Sequence, residues 1–224
     1  RLMVREFADK EIIPTAKELD VTGGFPTELY RKAFEMGLTT MTLPEEYGGM
    51  GLDIFTYSLI KEEIARGDAG FAGAVAGSFM GSLPALLSGT DYHKKMVADC
   101  LTSGGIMAFA LTEPESGSDS AAMRTTYVDD GDSYILNGRK CFISNGGVAD
   151  IIQVWATKDR SLGSKGISCF LVDMKTPGVS VGKHEDKMGY RTSATTDIVF
   201  EDARIPKANM IGGEGEGMAI MNKA

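Results

Sequence analysis

Near residue 105 the spacing of apolar side chains changes, and a chain with two periods must build two unlike packing units rather than one. Before that point the spacing is helical. Leu2, Phe7, Ile12, Ile13 and Leu19 recur along residues 1–20, with Pro14 expected to end or kink the helix. Thr27 stands near the start of a second helix, 28–36, which Gly37 stops. Asp53 is placed to cap a third helix running to about Arg66, Asp68 to open a fourth over 69–87, and Thr90 or Asp91 to begin a fifth ending near Cys100.

From Ile106 onward the period is two. Strands are predicted over 106–111, 122–128, 134–137, 141–144, 151–157, 167–173, 179–184 and 195–200. Turn residues separate them, among them Asn137-Gly138, read here as a hairpin turn, and Thr176-Pro177-Gly178. The expected fold is α+β and multidomain: an all-α N-terminal bundle over 1–105, then an antiparallel β-barrel or orthogonal-sheet domain over 106–212. Residues 213–224 would start a further helical part. No strand–GxGxxG–helix unit occurs, which excludes a Rossmann dinucleotide site as the leading reading.

Composition narrows the function classes. A net charge of −8 argues against a nucleic-acid partner, although local amides and single cations can still hold a small phosphate. Three widely spaced cysteines and two histidines leave no metal-binding pattern, and no metal is expected. Residues 1–20 are charged throughout and lack the apolar core of a signal peptide, and no stretch is read as a membrane span. The expected location is the cytoplasm in a bacterium, or the mitochondrial matrix in a eukaryote.

Two segments carry chemistry. In Leu111-Thr112-Glu113-Pro114-Glu115-Ser116-Gly117-Ser118-Asp119, Thr112 offers a hydroxyl, and Gly117-Ser118 offer open backbone amides and a second hydroxyl suited to an oxyanion. In Arg139-Lys140-Cys141-Phe142-Ile143-Ser144-Asn145, Phe142 and Ser144 fall on one strand face. An aromatic ring beside a hydroxyl suits a flat conjugated ligand, and equally suits a core aromatic with a strand-end serine. The fourth helix carries Gly70, Gly73, Gly77 and Gly81. Close packing of another backbone and room for a ligand tail are both open explanations.

Taken with Phe25-Pro26, Pro44-Glu45-Glu46-Tyr47-Gly48-Gly49, Met188-Gly189-Tyr190-Arg191, Ile205-Pro206 and the glycines of 212–217, these segments resemble the acyl-CoA dehydrogenases in order and spacing. The resemblance covers nearly the whole chain. It implies the N-terminal helical and middle β-domains of a three-part enzyme, with the C-terminal domain missing.

It further implies an oxidoreductase that binds FAD and performs α,β-dehydrogenation of an acyl-CoA thioester. In that chemistry a carboxylate removes the α-proton, a hydride passes to flavin N5, and the electrons go on to electron-transfer flavoprotein. Carried over onto this sequence, Phe109, Leu111, Thr112, Gly117, Ser118, Phe142, Ile143 and Ser144 would meet the cofactor, and Ser118 would also lie near the substrate thioester.

Phe142-Ile143-Ser144 departs from the family's usual Trp-Ile-Thr, losing an indole donor and keeping a hydroxyl. No catalytic residue is assigned within the chain, because the family's general base lies in the C-terminal domain, so residues 1–224 alone are expected to be inactive. Glu113 is read as structural. A homotetramer and a place in fatty acid metabolism are expected from the same resemblance. The alternatives are a flavin oxidase or monooxygenase of the same fold, and a non-catalytic scaffold.

Overall fold

The computed structural model describes residues 1–224. The helical part holds α1 (Leu2–Phe7), α2 (Ile13–Thr22), α3 (Thr27–Glu35), α4 (Ile54–Gly67), α5 (Ala69–Ser88) and α6 (Asp91–Thr102). A wide π-type turn over Ala8–Ile12 joins α1 to α2 without a break, so Pro14 falls in the first turn of α2 and ends nothing. Its missing N–H costs little there, because first-turn donors have no helical partner.

Capping follows side-chain chemistry. Asp53 accepts the Thr56 amide at the head of α4, and Asp68 accepts the Phe71 amide at the head of α5. Thr90 and His93 exchange contacts at the head of α6. Such caps contribute about 1 kcal/mol each.

The strands are β1 (Met107–Ala110), β2 (Thr126–Asp130), β3 (Ser133–Ser144), β4 (Ile151–Thr157), β5 (Ile167–Asp173), β6 (Val179–His184), β7 (Thr195–Pro206) and β8 (Met210–Ile211), followed by a short α7 (Gly217–Met221). They form one sheet in the order β6-β7-β3-β2-β4-β5-β8, with β1 added against β4. A helical domain followed by a sheet domain agrees with expectation. The sheet is mixed, since β1 and β2 run parallel to β4, and its path does not close.

Asn137-Gly138 is not a hairpin turn. β3 runs straight through it, and the register against β7 shifts between Leu136 and Gly138. The local chemistry of a tight turn is overridden because β7 pairs with β3 on both sides of the pair. Asn137 bonds to Asp202 across the strands, and Gly138 at φ 148° leaves room for Thr125.

β4 shows how the layers stack, because every residue in it is buried. Ile152, Val154 and Ala156 face a sheet core with Tyr127, Tyr134, Phe170 and Phe200. Ile151 and Trp155 face the opposite way, into a core shared with Val97 and Leu101 of α6 and Ile220 of α7. A third cluster, including Ile12, Tyr30, Ile64 and Phe71, holds the helices together.

By length and composition α5 is apolar enough to cross a membrane, which the sequence reading did not anticipate. Here its faces are packed, with Phe71, Ala72, Ala74, Val75, Gly77 and Gly81 buried. Its cap reaches the sheet domain too, since Thr192 Oγ1 donates to Asp68 at 2.8 Å.

Candidate functional site

Cys141 is the residue that joins the two segments singled out by sequence. Its amide donates to the Thr112 carbonyl at 2.9 Å, laying the loop after β1 beside the end of β3. A cavity of about 300 Å³ opens there, lined by Phe109, Thr112, Phe142, Ile143 and Ser144 and by Gly73, Ala76, Gly77 and Met80 of α5. Five of the eight residues named as cofactor contacts therefore share one cavity.

The other three lie beside it. Leu111 supplies a carbonyl to the Lys140 ammonium, while Gly117 and Ser118 sit exposed on the turn that follows. Ser116, just before them, is buried and donates to the Asp119 carbonyl, which fixes the turn.

Side-chain directions follow strand alternation. Ile143 enters the sheet core, while Phe142 and Ser144 face outward on one side. Phe142 is 61% exposed and adopts φ 58°, a backbone conformation that an aromatic residue rarely holds. The register shift between Lys140 and Ile143 requires it, turning the ring to the cavity rim instead of into the sheet. Phe109 forms the inner wall and packs on Trp155 at a ring separation of 4.5 Å.

The glycines of α5 divide between the two explanations left open. Gly70 makes way for Thr192, Gly77 for the Asn145 side chain, and Gly81 for the backbone of Ala108. Gly73 alone of the four has no close neighbour, with Ser193 and Tyr190 atoms 3.7 Å from where a Cβ would stand. Close packing accounts for three of them, and open space is left at the fourth. Asn145 joins α5 to β3 by donating to the Ala74 carbonyl at 2.8 Å, and its own carbonyl oxygen is buried without a partner.

No carboxylate lines this cavity. Glu113 is buried nearby and fully engaged. It accepts the Thr125 amide at 3.0 Å, the Arg124 amide, and the Lys140 ammonium at 2.7 Å. Burial works to raise the Glu113 carboxyl, but Lys140 and these hydrogen bonds outweigh it and hold the group below the usual range. Burial lowers the Lys140 ammonium from its ordinary value, with Glu113 opposing. A carboxylate so occupied is a structural anchor and not a proton acceptor.

Lys140 and Met80 were not found by sequence reasoning. Lysines are seldom buried, and only the acidic residue in the preceding loop offered a hint.

A larger cavity, of about 690 Å³, lies elsewhere, between the C-terminal half of α6 and the ends of β4 and β5. Lys95, Asp99, Cys100, Asp150, Asp173 and Lys175 line it, none of them in the two segments. Burial pushes the Cys100 thiol up to about 12, which keeps it protonated and a poor nucleophile. Size alone does not mark a site, and the smaller cavity carries the convergent aromatic rings and hydroxyls.

Comparison with known proteins agrees with this assignment. Residues 1–105 match the acyl-CoA dehydrogenase N-terminal domain, and residues 108–203 match the acyl-CoA dehydrogenase middle domain. The chain is 46% identical over 224 residues to the mitochondrial short-chain specific acyl-CoA dehydrogenase of Rattus norvegicus, covering 98% of this chain and 54% of that protein. It superposes on butyryl-CoA dehydrogenase from Megasphaera elsdenii with a TM-score of 0.93 at 39% identity, over 98% of this chain and 59% of that one. An acyl-CoA dehydrogenase from Bacillus anthracis, solved in complex with FAD, gives a TM-score of 0.90 at 35% identity, over 99% of this chain and 38% of that one. The chain thus spans little more than half the length of the curated relative it matches.

Proposed function

Since this chain belongs to the acyl-CoA dehydrogenase family, we propose that it supplies one wall of an FAD site in an enzyme that introduces an α,β double bond into a short-chain acyl-CoA thioester. The observation that carries the proposal is the convergence of Phe109, Thr112, Phe142 and Ser144 on one cavity whose α5 side is made of Gly73, Ala76 and Gly77. Small residues on one side and aromatic rings on the other leave a slot for a planar ring system, and the two hydroxyls can reach heteroatoms at its edge.

The residues present fit such a group. Phe142 holds an uncommon backbone conformation that keeps its ring out of the core and at the rim, where a flat ligand would cover it. Leaving an aromatic ring in water gains nothing for the chain alone. A bound flavin supplies the acceptor for a hydride, chemistry that no side chain can perform.

The chain's own residues bind and orient. Thr112 and Ser144 donate at the ring edge, Gly117 and Ser118 present amides and a hydroxyl to the cofactor phosphates, and Ser118 reaches the thioester. α-Proton abstraction needs a carboxylate, and Glu113 is not available for it because its oxygens are already bound. In this reading the base comes from the family's C-terminal domain. Electrons then pass to electron-transfer flavoprotein, and the native assembly is a homotetramer. The family resemblance supports both statements.

The short-chain preference draws its support from the relative acting under that name and from the butyryl-CoA enzyme that shares the fold. Assay of the native protein with acyl-CoA thioesters of graded length and an artificial electron acceptor tests it. Greatest kcat/KM at four to six carbons is expected as an order-of-length statement, about one or two methylenes of discrimination per step. A maximum at long chains would overturn the preference, and rapid reoxidation of the reduced protein by oxygen alone would point to an oxidase.

A further inference from the structure

Lys140 has no exposed side-chain surface, and its Glu113 partner is nearly as buried. Such a pair adds little net stability over an apolar pair of equal volume, because desolvation consumes most of the attraction. Its value must be sought in geometry, and the geometry here is specific. The Lys140 ammonium grips both neighbours of Thr112, donating to the Leu111 carbonyl at 3.1 Å and to the Glu113 carboxylate at 2.7 Å. Thr112 itself is tied through its carbonyl to the Cys141 amide.

Three consecutive loop residues are thus pinned to two consecutive residues of β3. The next residues of β3, Phe142, Ile143 and Ser144, line the cavity together with Thr112. The Glu113 carboxylate also takes the amides of Arg124 and Thr125, at the far end of the loop that carries Gly117 and Ser118.

We infer that Lys140 and Glu113 are positioning residues, a buried clip that sets the spacing between two walls of the cofactor cavity and closes the phosphate-facing loop at its base. The positioning stands on the contacts themselves, and its consequence for binding rests on the flavin reading above. Neither residue touches the reacting atoms. The clip acts through Thr112 and the Gly117-Ser118 turn.

Lys140→Met alone leaves the Glu113 carboxylate buried without its cation and can fail to fold. The paired Glu113→Gln and Lys140→Met variant removes both charges at nearly constant volume and leaves a side-chain carbonyl for the amides of Arg124 and Thr125. Glu113→Asp keeps the charge and shortens the reach.

Two measurements on the native protein decide the matter. The first is amide hydrogen exchange of residues 111–118 and 141–144 without added cofactor. The second is FAD affinity together with the shape of the visible flavin band. In the paired variant, exchange in these segments should quicken about tenfold or more while β5 keeps its protection. FAD should bind about tenfold or more weakly, with altered band structure, and Glu113→Asp should change the band in the same sense.

Wild-type exchange in both segments would overturn the clip, and so would wild-type affinity and band shape in a folded paired variant. Quickened exchange in a protein whose wild-type form takes up no FAD would support the clip and overturn the cofactor reading instead.

Discussion

At Gly77 an added Cβ would collide with the Asn145 side chain, and at Gly81 with the backbone of Ala108, whereas at Gly73 the nearest atoms lie 3.7 Å off. The same substitution therefore has opposite consequences one turn apart. Gly77→Val should destabilise by about 1–3 kcal/mol through overpacking against a buried side chain. Gly73→Ala should hold or raise the melting temperature, since alanine favours a helix over glycine by about 1 kcal/mol. Thermal melts of the two variants check this, and equal losses would mean that both positions are packed alike.

Gly117 behaves differently again. A Cβ there meets nothing within 4 Å, and its backbone lies outside the left-handed region. Gly117→Val should leave the melting temperature of the cofactor-free protein unchanged while abolishing FAD uptake, because the branched side chain covers the amides that a phosphate would approach. Retained flavin content after purification would remove this turn from the site.

Among the elements, α1 is tied to α4 by charge. Glu63 of α4 is buried and accepts from Arg5 at 2.7 Å and Arg1 at 2.6 Å, with Arg66 beside it. Hydrogen bonds from Arg5 and Arg1 hold its carboxyl down at about 2, against an ordinary value of 4.5. The unfolded chain binds the proton more readily, so this contribution to stability is fully present above pH 4.5 and is lost as pH falls toward 2. Glu63→Gln should flatten the fall of melting temperature over that interval relative to wild type. Parallel acid profiles for the two proteins would contradict the assignment.

Elements defined by local chemistry were legible in the sequence. The caps at Asp53 and Asp68 were readable, as were the bounds of β4, β5 and β6, because a short polar side chain ahead of an apolar run, or glycine and proline around one, acts within a few residues. Phe142 and Ser144 could be placed on one face from alternation alone. The continuity of β3 through Asn137-Gly138 was not readable, since it depends on β7, far along the chain. The parallel pairing of β1 with β4 and the burial of Lys140 were hidden for the same reason. The aromatic and hydroxyl components of the site were visible, but the clip beneath them was not.

The molecule as a whole carries one tryptophan, and its position makes it a reporter. Trp155 is fully buried, donates to the Gly217 carbonyl at 3.0 Å, and stacks on Phe109, whose ring lines the cavity. Its emission should be blue-shifted in the cofactor-free protein and strongly quenched on addition of FAD. Unchanged emission in a protein that demonstrably holds FAD would place the cofactor elsewhere.

The unbroken run of β3 also bears on how the molecule assembles during synthesis. β3 ends at the cavity wall, but its pairing partner along most of its length is β7, which emerges from the ribosome only after β4, β5 and β6. Contacts this distant in sequence form slowly, because the intervening chain must first be ordered. The N-terminal helices and the β4–β5 hairpin can gather early on local contacts, and the Phe142 rim takes its final place when β7 docks. The binding surface is in this sense a late product of folding, and a nascent chain stalled before Thr195 would present its glycine-lined helix to solvent with no opposing wall.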